Sequence, residues 1–191
     1  LRMSAAQIEA FILEKKDWIE KAQARMAMLP PPAKLTLADE STLPYLGGTL
    51  TLRRASVARV TLADTALLVP MSATDISPVI HWLDTQARAM LSARVRELSQ
   101  RLRLHPHTLR LSRAKGRWGS MSSRGTISLN HTLILCPPDV VDYVIIHELC
   151  HIAQPDHSQA FWAKVELFLP DYRVKRDWLK QHNALITYLQ G

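Results

Sequence analysis

The chain has 191 residues, 47% of them hydrophobic and 21% charged, with a formal net charge of +7. This is an ordinary globular composition with room for one sizeable core, or for one main domain with a small appendage. No wholly apolar run exceeds a few residues, which excludes a transmembrane helix, and two cysteines without CxxC spacing, Cys136 and Cys150, exclude a disulfide framework. The same cysteine usage sets the expectation of a reducing compartment, the cytoplasm. The chain begins at Leu1 rather than Met, so its true N-terminus is expected to lie upstream, and the lack of a leader weighs little.

A first helix is expected over residues 1–29. Ser4 and Gln7 form a capping box, and Ile8, Phe11, Ile12, Trp18, Ile19 and Ala22 make one apolar stripe. Pro30-Pro31-Pro32 ends it. Residues 33–72 read as a small antiparallel β meander, with strands near Thr49–Arg53, Ala58–Leu62 and Ala66–Val69 separated by Gly47-Gly48 and Asp64. The main domain is expected over 76–191, packed with the rest into one unit. Ser77 and Pro78 suit an N-cap and first helical position. Ile80, Leu83, Ala87, Met90, Leu91, Val95, Leu98 and Leu102 then keep helical spacing to about Arg103.

Between Arg88 and Arg124 ten basic residues face a single acid, Glu97, so this segment carries +9 and the remainder −2. It reads either as a positive surface for a nucleotide, nucleic acid or acidic substrate, or as solvated helix and strand faces. His107–Arg113 and Gly125–His131 alternate apolar and polar residues and are expected to pair as strands. Pro137-Pro138-Asp139 opens a helix running through Val144-Ile145-Ile146 into the pentapeptide His147-Glu148-Leu149-Cys150-His151. Ser158 suits the cap of a further helix carrying Phe161, Trp162, Val165 and Leu169. Pro170 ends it, and a last helix is expected from Tyr172 to about Leu189.

Two histidines four apart on a helix project from one face. Their ring nitrogens can converge on one cation at the roughly 2.0–2.1 Å of a zinc–imidazole bond. Glu148, beside the first ligand, stands where a general base would activate a water molecule. A continuous helix would carry His157 away from that point. Pro155 disfavours helical geometry at Gln154 and lacks an N–H donor, so the chain turns back and offers His157 as third ligand. Glu166 is the rival third ligand. Cys150 lies around the helix from His151 and is expected to pack; Asp142 and Asp156 are candidate partners for the imidazoles.

The match extends beyond this motif. Arg117-Trp118-Gly119-Ser120, Ile127-Ser128-Leu129-Asn130, Asp142-Tyr143-Val144-Ile145-Ile146 running into His147–His151, His157-Ser158, Phe161-Trp162, Pro170-Asp171-Tyr172 and Trp178-Leu179 together resemble the YgjP-like (DUF45) metal-dependent hydrolases. These are grouped with the M48-type and SprT-like zinc metallopeptidases, and the resemblance spans roughly Ala5 to Gln181. It implies an α+β, zincin-like fold, with a curved antiparallel sheet packed on the HExxH helix and further helices. It also implies zinc held by His147, His151 and His157, with Glu148 as base. Met121 stands where the family usually has cysteine and Asp156 where it has asparagine; the family's Arg-rich first β segment is not read ahead of Ser4, which sets the expectation of a truncated or divergent N-terminus.

The leading expectation is a zinc-dependent metallopeptidase in which Glu148 takes the proton of a metal-activated water. Strand Gly125–His131 is a candidate edge for an extended peptide or protein substrate. Arg117, Asn130 and Tyr172 are candidate substrate-binding residues; Arg117, His131 or Tyr172 would face the oxyanion, and Trp118 is expected in the core. One alternative is metal-dependent hydrolysis of nucleotide phosphoanhydrides, with Arg117 and Arg124 clamping phosphates. Another is a DNA-associated SprT-like protease.

Overall fold

A computed structural model describes residues 35–189 together with Lys16. The helix expected over 1–29 lies outside the described residues. Residues Ala33–Gly191 fall in one compact unit of mixed α+β structure.

Four short strands come first: β1 (Thr42–Tyr45), β2 (Gly48–Ala55), β3 (Thr61–Ala63) and β4 (Ala66–Pro70). β1 and β2 form a hairpin over Leu46-Gly47, both at positive φ (48° and 80°), the geometry that tight two-residue hairpins require. The sheet order is β1-β2-β4-β3, and β2 pairs with β4 in parallel. The antiparallel meander is therefore corrected to a mixed sheet. The reason is burial: Ala66–Pro70 is almost continuously apolar and buried, which suits an inner strand. All three β3 residues are exposed, which suits an edge.

Helix α1 spans Ser77–Leu102. Its N-cap is Ile76 rather than Ser77, and the Asp75 carboxylate accepts from the Ser77 N–H at 2.8 Å. Val79, Leu83, Ala87, Leu91, Val95 and Leu98 form the buried stripe. The second sheet contains β5 (Thr108–Ser112), β6 (Gly119–Met121) and β7 (Thr126–Asn130) in the order β5-β7-β6. The two expected strands do pair, but in parallel, while β6 joins β7 antiparallel. One curved antiparallel sheet is thus replaced by two small mixed sheets.

A buried 3₁₀ turn, His131–Leu135, leads into α2 (Pro138–Cys150), which is apolar nearly all round. Such a helix belongs in the interior. Helix α3 (Gln159–Phe168) is capped as expected, with Ser158 Oγ accepting from the Phe161 N–H. Helix α4 (Tyr172–Gln181) stops short of the expected end and gives way to a 3₁₀ turn, Asn183–Thr187. α2 touches β6, α1, α3 and α4, so it is held in place from several sides.

Candidate metal centre

Helix α2 places His147 and His151 one turn apart, with ring centroids separated by 5.0 Å. After His151 the chain leaves the helix and turns through Pro155, returning His157 to within 5.1 Å of His147 and 4.7 Å of His151. Each histidine offers one ring nitrogen, and the three lie within 4.8 Å of one another. The His151 tautomer follows from its surroundings: Nδ1–H donates to the Gln154 carbonyl at 3.0 Å, leaving Nε2 as the free donor. The turn that delivers the third histidine therefore also orients the second.

The donor set fits a divalent cation. Nε2 of His157 faces Nε2 of His147 at 3.1 Å, so the two nitrogens have at most one proton to share. Burial, reinforced by His151 and His157, pushes the His147 pKa down to about 3. A half-buried imidazole held neutral, with its Nε2 facing that of His157 and a ring nitrogen of His151 within 4.8 Å, is the arrangement that metal coordination satisfies. Phe161 floors the group, with its ring 4.9 Å from His147, 4.4 Å from His151 and 4.9 Å from His157. Trp162 lies 5.6 Å from His147 and 5.7 Å from His157. The sequence marked both aromatics as part of an apolar helix stripe and of the family resemblance, without placing them against the histidines.

Glu148 is 6% exposed. Burial raises its pKa to about 7, against the opposing pull of the Arg117 charge and a backbone hydrogen bond from Met121. Its carboxyl lies flush against β6: a Cβ at Gly119 would come within 2.7 Å of Oε1. The glycine of Arg117-Trp118-Gly119-Ser120 thus makes room for the glutamate of the helix. A cleft of about 790 Å³ opens over this group, walled by His147, Glu148, His151 and His157 on one side. Arg117, Gly119–Met121, the turn through Arg124, and His105 and His107 complete the lining. Gly119 belongs to a run that carries the family resemblance, but its contact with Glu148 and the presence of the two further histidines had no signal in the local sequence pattern.

The remaining candidates separate. Arg117 lines the cleft, whereas Asn130 and Tyr172 do not. Asn130 is fully buried and its amide is fully engaged. Nδ2 donates to the carbonyls of Ala114 (2.8 Å) and Arg117 (3.0 Å), and Oδ1 accepts from the Thr132 N–H and hydroxyl. Tyr172 is buried in a stack, 5.3 Å from Trp162 and 6.4 Å from Tyr143. His131 is buried, with Nδ1 2.5 Å from Asp84 Oδ1 and no place on the cleft wall. Trp118 packs against the core. Glu166 pairs with Arg173 at 2.6 Å and does not join the histidines. Asp142 binds Arg94 through both oxygens at 2.5 Å, and Asp156 accepts from the Ser158 N–H, so neither is bonded to an imidazole. Cys150 is buried and its thiol pKa is pushed up to about 11, as befits a packed residue. Strand β7 lies between β5 and β6, so the free edge beside the site belongs to β6.

No curated protein is matched by this chain. Among solved structures, the metallopeptidase zymogen of Pyrococcus abyssi abylysin is similar at 22% identity and a TM-score of 0.45, over 48% of this chain and 93% of that one. The YgjP-like, metallopeptidase domain family matches residues 1–182. Nearly the whole chain is covered, including every residue of the histidine cluster, and the chain belongs to the YgjP-like metallopeptidase family.

Proposed function

We propose that the protein is a zinc-dependent peptidase of zincin type that uses His147, His151 and His157 to hold the ion and Glu148 as general base. The observation that carries this reading is the meeting of three imidazoles and a buried carboxyl on one wall of an open cleft. When bound, zinc supplies Lewis-acid polarisation of a carbonyl and acidifies water towards a pKa of about 7. Glu148, with its own pKa raised to about 7, is matched to accept a proton and return it to a leaving amine near neutral pH. Its hydrogen bond from Met121 and its contact with Gly119 fix the direction in which it does so.

β6 supports the peptide assignment. Asn130 donates to the Trp118 carbonyl and Ser122 to that of Thr126, so Trp118, Ser120 and Ser122 face β7. By the alternation of an antiparallel ladder, the backbone groups of Gly119 and Met121 point to the opposite edge, the one bordering Glu148. An extended substrate can add to that edge and present its backbone carbonyls to the metal. Two buried free cysteines suit a reducing cytoplasm. Among the described residues no helix is long and apolar enough to cross a membrane.

Arg117 and Arg124 on the cleft wall give the phosphoanhydride reading its own support. The nucleic-acid reading has less, because Arg94 is engaged by Asp142 and Glu97, and Arg113 by Asp84. Peptides and nucleoside triphosphates assayed side by side decide the matter. The expected result is peptide cleavage by the wild-type protein and none by Glu148→Gln with its metal retained. Triphosphate turnover without peptide cleavage would transfer the assignment, and inactivity towards both would overturn it.

A further inference from the structure

We propose that the cleft selects peptides bearing a carboxylate within two or three residues of the bond it cuts, and that Arg117 and Arg124 make the selection. The inference rests on the peptidase reading above. Among the described residues Glu148 is the only acidic one lining the cleft, and its carboxyl is turned against Gly119 and Met121 rather than outward. Arg117 and Arg124 line the same space and are exposed. Neither has a salt-bridge partner among the described residues.

Their placement is what matters. Arg117 stands two residues before β6 and Arg124 three residues after it, in the turn to β7. The two guanidinium groups therefore bracket the edge strand that borders Glu148. An extended chain advances about 3.3 Å per residue, so a peptide laid along β6 meets one arginine within a few residues of the bond held at Glu148. A guanidinium binds a carboxylate through a two-pronged, charge-assisted hydrogen bond.

The turn carrying Arg124 is held in shape. Gly125 has a φ of +74° and donates to the Ser122 carbonyl at 2.9 Å, while Ser122 Oγ accepts from the Thr126 N–H at 3.0 Å. His107 donates its backbone N–H to the Gly125 carbonyl at 2.8 Å, and its ring would lie 3.1 Å from a Cβ at Gly125. Arg124 thus projects from a braced turn. A peptide rich in lysine or arginine would bring like charges together in this cleft, with a bound cation adding to the repulsion.

The carboxylate has two sources, an acidic side chain or a free C-terminus. The test measures fluorescence anisotropy of labelled hexapeptides with the full-length Glu148→Gln protein. Asp is compared with Asn at each position, and free C-termini with amides. Acidic peptides are expected to bind at least about fivefold more tightly than their neutral partners near 50 mM salt, with the gap shrinking at about 0.5 M. Arg117→Gln and Arg124→Gln are each expected to narrow it. Tightening by internal Asp assigns the site to side chains, and tightening by the free terminus alone assigns it to C-terminal recognition. Equal binding of acidic and neutral peptides overturns the proposal, as does a full gap in the double variant. Selective binding without cleavage by the wild-type protein would instead remove the peptidase reading and leave the cationic subsite standing.

Discussion

The Cβ that Gly119 lacks would lie 2.7 Å from Oε1 of Glu148 and 2.8 Å from its Cγ. The second distance is the more demanding. Cγ is near the helix backbone and has little freedom to swing, so a methyl at position 119 forces the whole carboxyl to move. Gly119→Ala is expected to keep the far-ultraviolet spectrum and the bound metal, while kcat/KM for a peptide falls about 100-fold, the scale of an ångström-sized misplacement of a catalytic group. Unchanged activity in a metal-replete variant would show that this position of Glu148 is not the productive one.

His147 and Glu148 are sequence neighbours that burial drives in opposite directions, to about 3 from 6.5 and to about 7 from 4.5. In the metal-free protein both shifts act on stability. The unfolded histidine binds its proton near pH 6.5 and the folded one only near 3, so stability is lost as pH falls through that interval. The glutamate runs the other way. The folded state keeps its proton up to about pH 7 while the unfolded state releases it near 4.5, so stability present below 4.5 is lost as pH rises through 7. The displacement from 4.5 to 7 corresponds to roughly 3 kcal/mol. Urea denaturation with chelator present should find Glu148→Gln more stable than wild type at pH 8 and close to it at pH 4.5. The same difference at both values would contradict a carboxyl kept protonated by burial.

Asn130 joins the Ala114–Arg117 segment to the start of the 3₁₀ turn through four hydrogen bonds. Alanine there leaves two part-buried carbonyls, and the buried Thr132 N–H and hydroxyl, without that partner. Each such group costs about 1–3 kcal/mol, partly relieved by relaxation. Asn130→Ala is expected to lose about 3 kcal/mol in chemical denaturation while the folded fraction keeps its KM. A raised KM with unchanged stability would restore the substrate-binding role that the sequence suggested.

The parts of the site legible in the sequence are those made by local chain geometry. The spacing of His147 and His151 on α2 is a helical period, and the return of His157 follows from Pro155, which cannot continue the helix. Glu148 is placed by adjacency alone. What escaped depends on pairing across long sequence distances. The fit of Gly119 against Glu148 joins a strand to a helix, and the gathering of His105, His107 and Arg124 follows from the β5-β7-β6 strand order. Hydrophobic alternation signals a strand but not its neighbour or direction, so β5 and β7 were paired without their parallel sense, and the direct parallel pairing of β2 with β4 was hidden behind an antiparallel meander. Asn130 was misplaced for a related reason. A polar residue in a family motif looks the same whether it meets a substrate or ties a loop, and only its burial separates the two.

The third ligand can be decided by metal content. His157 presents Nε2 to His147 across 3.1 Å, whereas Glu166 is held on the surface by Arg173. In the proposed ligand set, His157→Ala leaves His147 and His151 and removes one of three protein donors. It also loses the imidazole that packs on Phe161 at 4.9 Å. Competition with a chelator should show metal affinity falling at least about 100-fold, beyond the usual loss from altering only an outer partner of a ligand. Glu166→Ala should bind metal as the wild type does, because the ion pair it breaks is exposed and worth little. The opposite outcome, retention in His157→Ala and loss in Glu166→Ala, would require α3 to move towards the site and would replace the ligand set. Equal loss in both would implicate the packing of α3 as a whole, since Ser158, which caps that helix, follows His157 directly and Glu166 lies in its last turn.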